Sequence, residues 1–329
     1  MLTDVMGRLK DGRLPPRWRE YFIHAVFVGI FVFFAATLHD KGFLSAFNLM
    51  NIARQTAMIA IMAVGMTFVL SAAEIDLSFG AVVALSAIIC ALVLRHTGNM
   101  ALASGAALAT GTLIGAINGF FVTRVGIPSF LVTLGTMGIV TGVARWISNL
   151  QSIPVADETF VFVFGGGDIG PVPVLFLWTF AVAALGALLL NKTAFGKQVL
   201  ATGGNKISAL YSGIQVGRIK LQVLVLNGFL AALAGMLYAG RLQGARYTLG
   251  ENDLMIVVAA VIIGGTSLFG GKGTVVGSVL GALIMGMVNN GLILMGLSVD
   301  QQMILRGVII IAAVTLTMGT ILKTKKIKR

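Results

Sequence analysis

Apolar runs about as long as a bilayer crossing recur ten times in this 329-residue chain. A helical span needs about 20 such residues. The runs lie near residues 21–38, 51–71, 78–95, 100–122, 129–149, 173–190, 219–241, 254–269, 273–296 and 302–322. They predict an all-α membrane protein of about ten transmembrane helices. Charged residues make up 11% of the chain, against about 25% in soluble domains. The reading is a single transmembrane domain over 21–322, preceded by a segment 1–20 and followed by a basic tail 323–329. The first basic residues lead into a full-length apolar run without a small-residue cleavage site, so the first run reads as a retained span.

Orientation follows from the positive charges. Ten spans put both termini on one side. That side then carries 17 of the 24 Lys and Arg, with seven left opposite: Lys41, Arg54, Arg95, Arg145, Arg241, Arg246 and Arg306. Positive residues accumulate on the cytoplasmic face, so both termini are expected there. The net charge of +12 is explained by this bias, and no nucleic-acid partner is needed. The segment 150–172 holds Asp157, Glu158, Asp168 and three successive glycines, and it reads as a structured outer loop.

Glycine is abundant and much of it is spaced by four. Gly111, Gly115 and Gly119 lie in the fourth run, and Gly273, Gly277 and Gly281 in the ninth. At that spacing glycines share one helix face and let backbones approach closely. The surrounding sequences are alike, and a second pair follows the same order: Glu74-Ile75-Asp76-Leu77 before the third run and Glu251-Asn252-Asp253-Leu254 before the eighth. Partners five spans apart point in opposite directions. The prediction is two inverted-topology halves, spans two to five and seven to ten, with spans one and six as extra helices.

The stretch 191–220 breaks the apolar pattern. It holds Lys192, Lys197, Lys206, Arg218 and Lys220 and no acidic residue. Asn205 is a good N-cap, Gly213 a good stop, and Gly203-Gly204 permit a sharp entry. Lys206–Ser212 is expected to form a short helix. So short a helix must rest on its own bundle or on a partner.

This stretch resembles the permease subunit of sugar-type ATP-binding-cassette importers, the ribose, xylose, arabinose and galactoside branch. The resemblance is carried by Thr193, Gly196, Lys197, Ala201, Gly203, Gly204, Asn205, Ala209, Ser212, Gly213, Ile214 and Val216, by Ile75–Gly80, and by Gly264–Leu292. It runs from about residue 45 to the C-terminus. The chain departs from the family at Ser208, where Ala is usual, and at Glu74, where Gly is common. The resemblance implies a bacterial cytoplasmic-membrane protein with a coupling loop at 191–218. It also implies a second permease copy or close paralogue, two ATPase modules at that loop, and a soluble sugar-binding protein outside. The coupling residues it implies are Gly203, Gly204, Asn205, Ala209, Ser212, Gly213 and Ile214.

The remaining motifs divide between function and architecture. Gly271-Lys272-Gly273 lacks the Ser or Thr that a phosphate loop needs directly after its lysine, so it reads as a tight turn, and ATP hydrolysis is expected on another chain. Glu74, Asp76 and Ser78 are candidates for a gate or proton relay; the plainer reading has Asp76 or Ser78 capping the third span. Asn118, Asn227, Asn289 and Asn290 are candidates for weak contacts along a path, or for hydrogen bonds between helices. Arg54, Arg145, Arg241 and Arg246 are candidates for docking the binding protein, or for snorkelling at span ends. One cysteine, Cys90, and three scattered histidines give no metal site, and no cofactor is expected. The chain thus reads as a non-catalytic subunit of an importer for a monosaccharide or small polyol. The rivals are an ion-coupled secondary transporter using Glu74 or Asp76, a family permease for a nucleoside or branched-chain amino acid, and a membrane scaffold.

Overall fold

The computed structural model describes residues 18–326. Most of the expected N-terminal segment and the end of the basic tail lie outside the described residues. The long helices are α1 (Trp18–Thr37), α2 (Ala46–Ser71), α3 (Phe79–Thr97), α4 (Met100–Phe120) and α5 (Ser129–Ser148). After a single turn α6 (Glu158–Val161) come α7 (Val174–Lys192), α8 (Ala194–Gly204), α9 (Lys206–Tyr211), α10 (Val216–Leu242), α11 (Asp253–Ile263), α12 (Val275–Leu294) and α13 (Val299–Lys326).

Each of the ten apolar runs coincides with one of these helices. Among the described residues seven helices are long and apolar enough to cross a membrane: α2, α3, α4 with its π-helical extension, α5, α7, α10 and α12. The chief departure is α11. Its 11 residues cover about 16 Å, half of a hydrocarbon core of about 30 Å. The chain before it, Gln243–Asn252, is non-helical and folds back beside α10, so that Gly250 abuts Gly80 at the start of α3. Irregular backbone of this kind persists in a membrane protein only when protein covers it, and Ala245, Leu249 and Gly250 are buried.

α2 and α10 cross in the centre, where they are covered on nearly all sides. The best spanning window of α2 is 83% buried, whereas that of α5 is 17% buried. A helix apolar all round belongs inside; one this exposed faces lipid or another subunit. α10 packs on α3 and α4, and α2 packs on α11 and α12. α3 packs on α4 and α5, and α11 packs on α12 and α13. Exchanging α2–α5 for α10–α13 maps this pattern onto itself. α1 and α7 fall outside it: α1 packs on α12 and α7 on α2.

The glycine rows sit at the tightest crossings. A Cβ at Gly111 or Gly115 would fall on the carbonyl oxygen of Gly228 or Leu224 in α10, and Gly119 faces Leu221. Gly277 and Gly281 instead meet the carbonyls of Gly264 and Ala260, at the end of and within α11, and Gly273 meets Ser71. Similar rows therefore serve different neighbours in the two halves. At one end of the bundle, Ile153–Pro154 pairs with Gly244–Ala245, and Asp168–Ile169 forms a hairpin with Val172–Pro173. The segment 150–172 is accordingly a folded cap. The opposite end carries α8, α9, the turn Ala72–Ser78 and the turn before α12.

Candidate functional site: a coupling face and two acidic turns

The α8–α9 segment is built by its caps. Thr193 Oγ1 accepts a hydrogen bond from Gly196 N (3.2 Å) and opens α8; Asn205 Oδ1 accepts from Ser208 N (3.0 Å) and opens α9. Gly213, at φ +79°, ends α9. Gly203 and Gly204 are helical, forming the last turn of α8. Gly203 is needed there for close approach, because a Cβ would strike the Ser71 carbonyl oxygen. Gly271 N donates to that same oxygen (3.0 Å). The ends of α2 and α8 and the turn before α12 thus share one floor. Ala209 is buried and Ile214 N donates to its carbonyl (3.0 Å), whereas Ser212 bonds only within α9, to Ser208 O. The outward face of α9 presents Ile207, Leu210 and Tyr211, the last 90% exposed.

Beside this floor, Ala72–Ser78 forms an acidic turn. Ala73 begins it in the left-handed region at φ +59°. Glu74 is buried and forms an ion pair with Lys220 of α10. Asp76, 2% exposed, stands just ahead of α3: one carboxylate oxygen accepts from Ser78 N (2.8 Å) and Ser78 Oγ (2.7 Å). The other accepts from Asn227 Nδ2 of α10 (2.8 Å). Burial raises this carboxyl's pKa above the usual aspartate value, while bonds from Ser78, Asn227 and the Phe79 backbone pull it down. Asn118 Nδ2 donates to Ser78 Oγ (3.0 Å), and Thr136 Oγ1 of α5 donates to Asn118 Oδ1 (2.7 Å). The acidic turn therefore leads into α3 from a buried position, joined to α10, α4 and α5.

A second acid stands at the start of α11. Asp253 accepts from Tyr238 Oη of α10 (2.7 Å). Nearby Arg306 of α13 bonds to Asn289 of α12 and to Gln302 (3.2 Å). Asn227 and Tyr238, the two α10 groups that receive the acids, are three helical turns apart and share a face. Asn290 exchanges amide bonds with Asn48 of α2 (2.8 and 3.0 Å). All four asparagines proposed for the path are thus bonded to other side chains of the chain. Among the docking candidates, Arg54 pairs with Asp168 (2.6 Å) and Arg145 lies over the Tyr247 ring. Arg241 is half-buried and Arg246 exposed.

Sequence reasoning missed α8, Lys220, Tyr238 and the α5 hydroxyls. The signals were present: Thr193 ahead of a helical stretch, and Ser129, Thr133 and Thr136 at helical spacing. The pairings Glu74–Lys220 and Asp253–Tyr238 leave no local trace.

A family model described as "Branched-chain amino acid transport system / permease component" matches residues 48–314. The chain belongs to this permease family. The permease is 40% identical to the ribose import permease protein of Escherichia coli K12 over 281 residues, covering 84% of this chain and 87% of that protein. It is 37% identical to the D-allose transport system permease protein of the same strain over 302 residues (91% of each chain). It is 34% identical to that strain's L-arabinose transport system permease protein over 297 residues (90% of each). No solved structure matches the permease significantly. Its place in this family makes it a transport component rather than an enzyme.

Proposed function

We propose that the permease is the membrane subunit of an ATP-driven importer for a monosaccharide or small polyol. The observation that carries this reading is α9, a capped helix of six residues whose buried side rests on the bundle while Ile207, Leu210 and Tyr211 are uncovered. Such a helix is too short to stand alone, and its exposed apolar and aromatic side chains suit an interface core. The ribose, allose and arabinose assignments of the relatives give the substrate class.

In this reading two ATPase modules grip α8–α9 of two permease copies, with both termini and these helices on the cytoplasmic side of a bacterial inner membrane. A soluble sugar-binding protein loads the opposite face, and the path runs between the copies. Arg241 and Arg246 are left for that docking, since Arg54 and Arg145 have partners within the chain. Transport is alternating access, in which ATP and the loaded binding protein each favour one state. Glu74, Asp76, Ser78, Asn118, Asn289 and Asn290 support the walls, because their polar groups are committed to protein partners. The same commitment weighs against the secondary-transporter reading, since Glu74 is held by Lys220.

Uptake of labelled D-ribose, D-allose, L-arabinose and ribitol by cells lacking their own transporters tests this reading. The expected result is saturable uptake of at least one compound, lost when the partner ATPase is inactivated. Uptake that persists without the ATPase and collapses with the proton gradient would overturn it.

A further inference from the structure

We propose that the acidic turn Ala72–Ser78 is the linkage through which displacement of α8–α9 reaches α5, with Glu74, Asp76 and Thr133 as positioning residues. The proposal rests on the reading of α9 as the docking element; it adds the route and the residues.

At its α8 side the turn leaves no slack. It leaves α2 at Ser71, whose carbonyl oxygen takes the Gly271 N–H (3.0 Å) and lies against Gly203 where no Cβ fits. A shift of α8 therefore presses directly on the backbone that enters the turn. Ala73 then reverses the chain in a conformation that L-residues rarely adopt.

At its α5 side the turn is bound along one helix face. Ser129 Oγ accepts from Ile75 N (3.0 Å) and Thr133 Oγ1 from Leu77 N (3.1 Å). Thr136 joins through Asn118 to Ser78. Spacings of four and three residues put all three hydroxyls on the same side of α5. Beyond these bonds α5 is held along one side, by buried Val140, Ala144 and Ser148, and its outward side is uncovered. Phe130, Leu134, Ile139 and Trp146 are exposed, and a Cβ at Gly135, Gly138 or Gly142 would meet nothing. Its main helix contacts are with α3, into which the turn leads, and with α4. An element with few buried contacts moves at low cost, so α5 follows whatever moves the turn.

Two bonds to α10 give the turn its fulcrum. Glu74 meets Lys220 and Asp76 meets Asn227, two helical turns apart on one face of α10. Held at both points, the turn pivots on α10 rather than sliding along it.

The test reads α5 directly. Cys90 is replaced by Ala, and spin labels are placed at the exposed positions Ile139→Cys on α5 and Val32→Cys on α1, a helix that packs on α12. The permease is assembled with its ATPase subunits in nanodiscs and diluted with unlabelled copies, so that the distance within one chain is read with and without ATP plus vanadate. The expected result is a change of about 2 Å or more, the scale of helix shifts in switching proteins. Thr133→Val and Glu74→Gln are expected to abolish that change while the ATPase still binds and hydrolyses ATP. Thr133→Ser and the charge exchange Glu74→Lys with Lys220→Glu are expected to restore it. A change that survives Thr133→Val and Glu74→Gln would overturn the linkage and leave the importer reading intact. No change in the unsubstituted chain would also overturn the linkage, while the importer reading stands or falls on ATPase-dependent uptake.

Discussion

Adding one methyl group separates the glycines that hold this molecule together from those that do not. A Cβ at Gly281 would fall on the Ala260 carbonyl oxygen, whereas one at Gly138 would meet nothing within 4 Å. Overpacking a close helix crossing costs about 1–3 kcal/mol, while Ala in an open helix interior gains about 0.5–1 kcal/mol over Gly. Gly281→Ala is therefore expected to lower the melting temperature in detergent, and Gly138→Ala to leave it unchanged or raise it. Equal losses at both positions would contradict the packing described. Asp76 makes a prediction in pH. Burial holds its carboxyl above the ordinary aspartate range, so the folded chain favours the protonated form. That contribution is complete below the unfolded pKa and is lost as pH rises through the folded one. Asp76→Asn should flatten the pH dependence of the melting temperature from the ordinary aspartate range upward, and an unaltered slope would count against a carboxyl placed as described.

At the scale of elements, α9 owes its existence to two residues. Losing an N-cap costs about 1 kcal/mol, and α9 has only six residues over which to recover it. Asn205→Ala should fray α9 and weaken ATPase binding as Tyr211→Ala does, with overall melting unchanged. Binding measured by titrating the ATPase onto nanodisc-held permease checks this, and wild-type affinity in both variants would refute it. This helix was legible in advance because Asn205 and Gly213 announce its ends locally. Gly203 and Gly204 misled for an equally physical reason: a glycine pair reads as a bend, but here it continues α8 so that a neighbouring backbone can come close. α11 misled too. Hydropathy alone predicts a full span over 254–269, but the helix stops at Ile263 and residues 264–269 continue as a turn whose apolar composition conceals the end. Lys220 and Tyr238 were illegible because their partners, Glu74 and Asp253, are brought to them by tertiary packing alone.

The whole molecule joins two halves that exchange helices across its centre. α2 and α12 belong to different halves, yet Asn48 and Asn290 bond reciprocally between them. Leaving one buried amide unpaired costs about 1–3 kcal/mol, whereas removing both partners is cheaper. Asn48→Leu combined with Asn290→Leu should thus cost less than the sum of the two single substitutions, and simple additivity in a double-mutant cycle would deny the coupling. A conduit that must be driven from outside is distinguished from a self-sufficient carrier in proteoliposomes. Purified permease is reconstituted alone or with its ATPase and loaded binding protein, and entry of the sugar identified by cellular uptake is followed. A driven conduit gives no accumulation by the permease alone, with or without an ion gradient, and ATP-dependent accumulation in the full assembly that Tyr211→Ala abolishes or sharply reduces. Accumulation by the permease alone would contradict it.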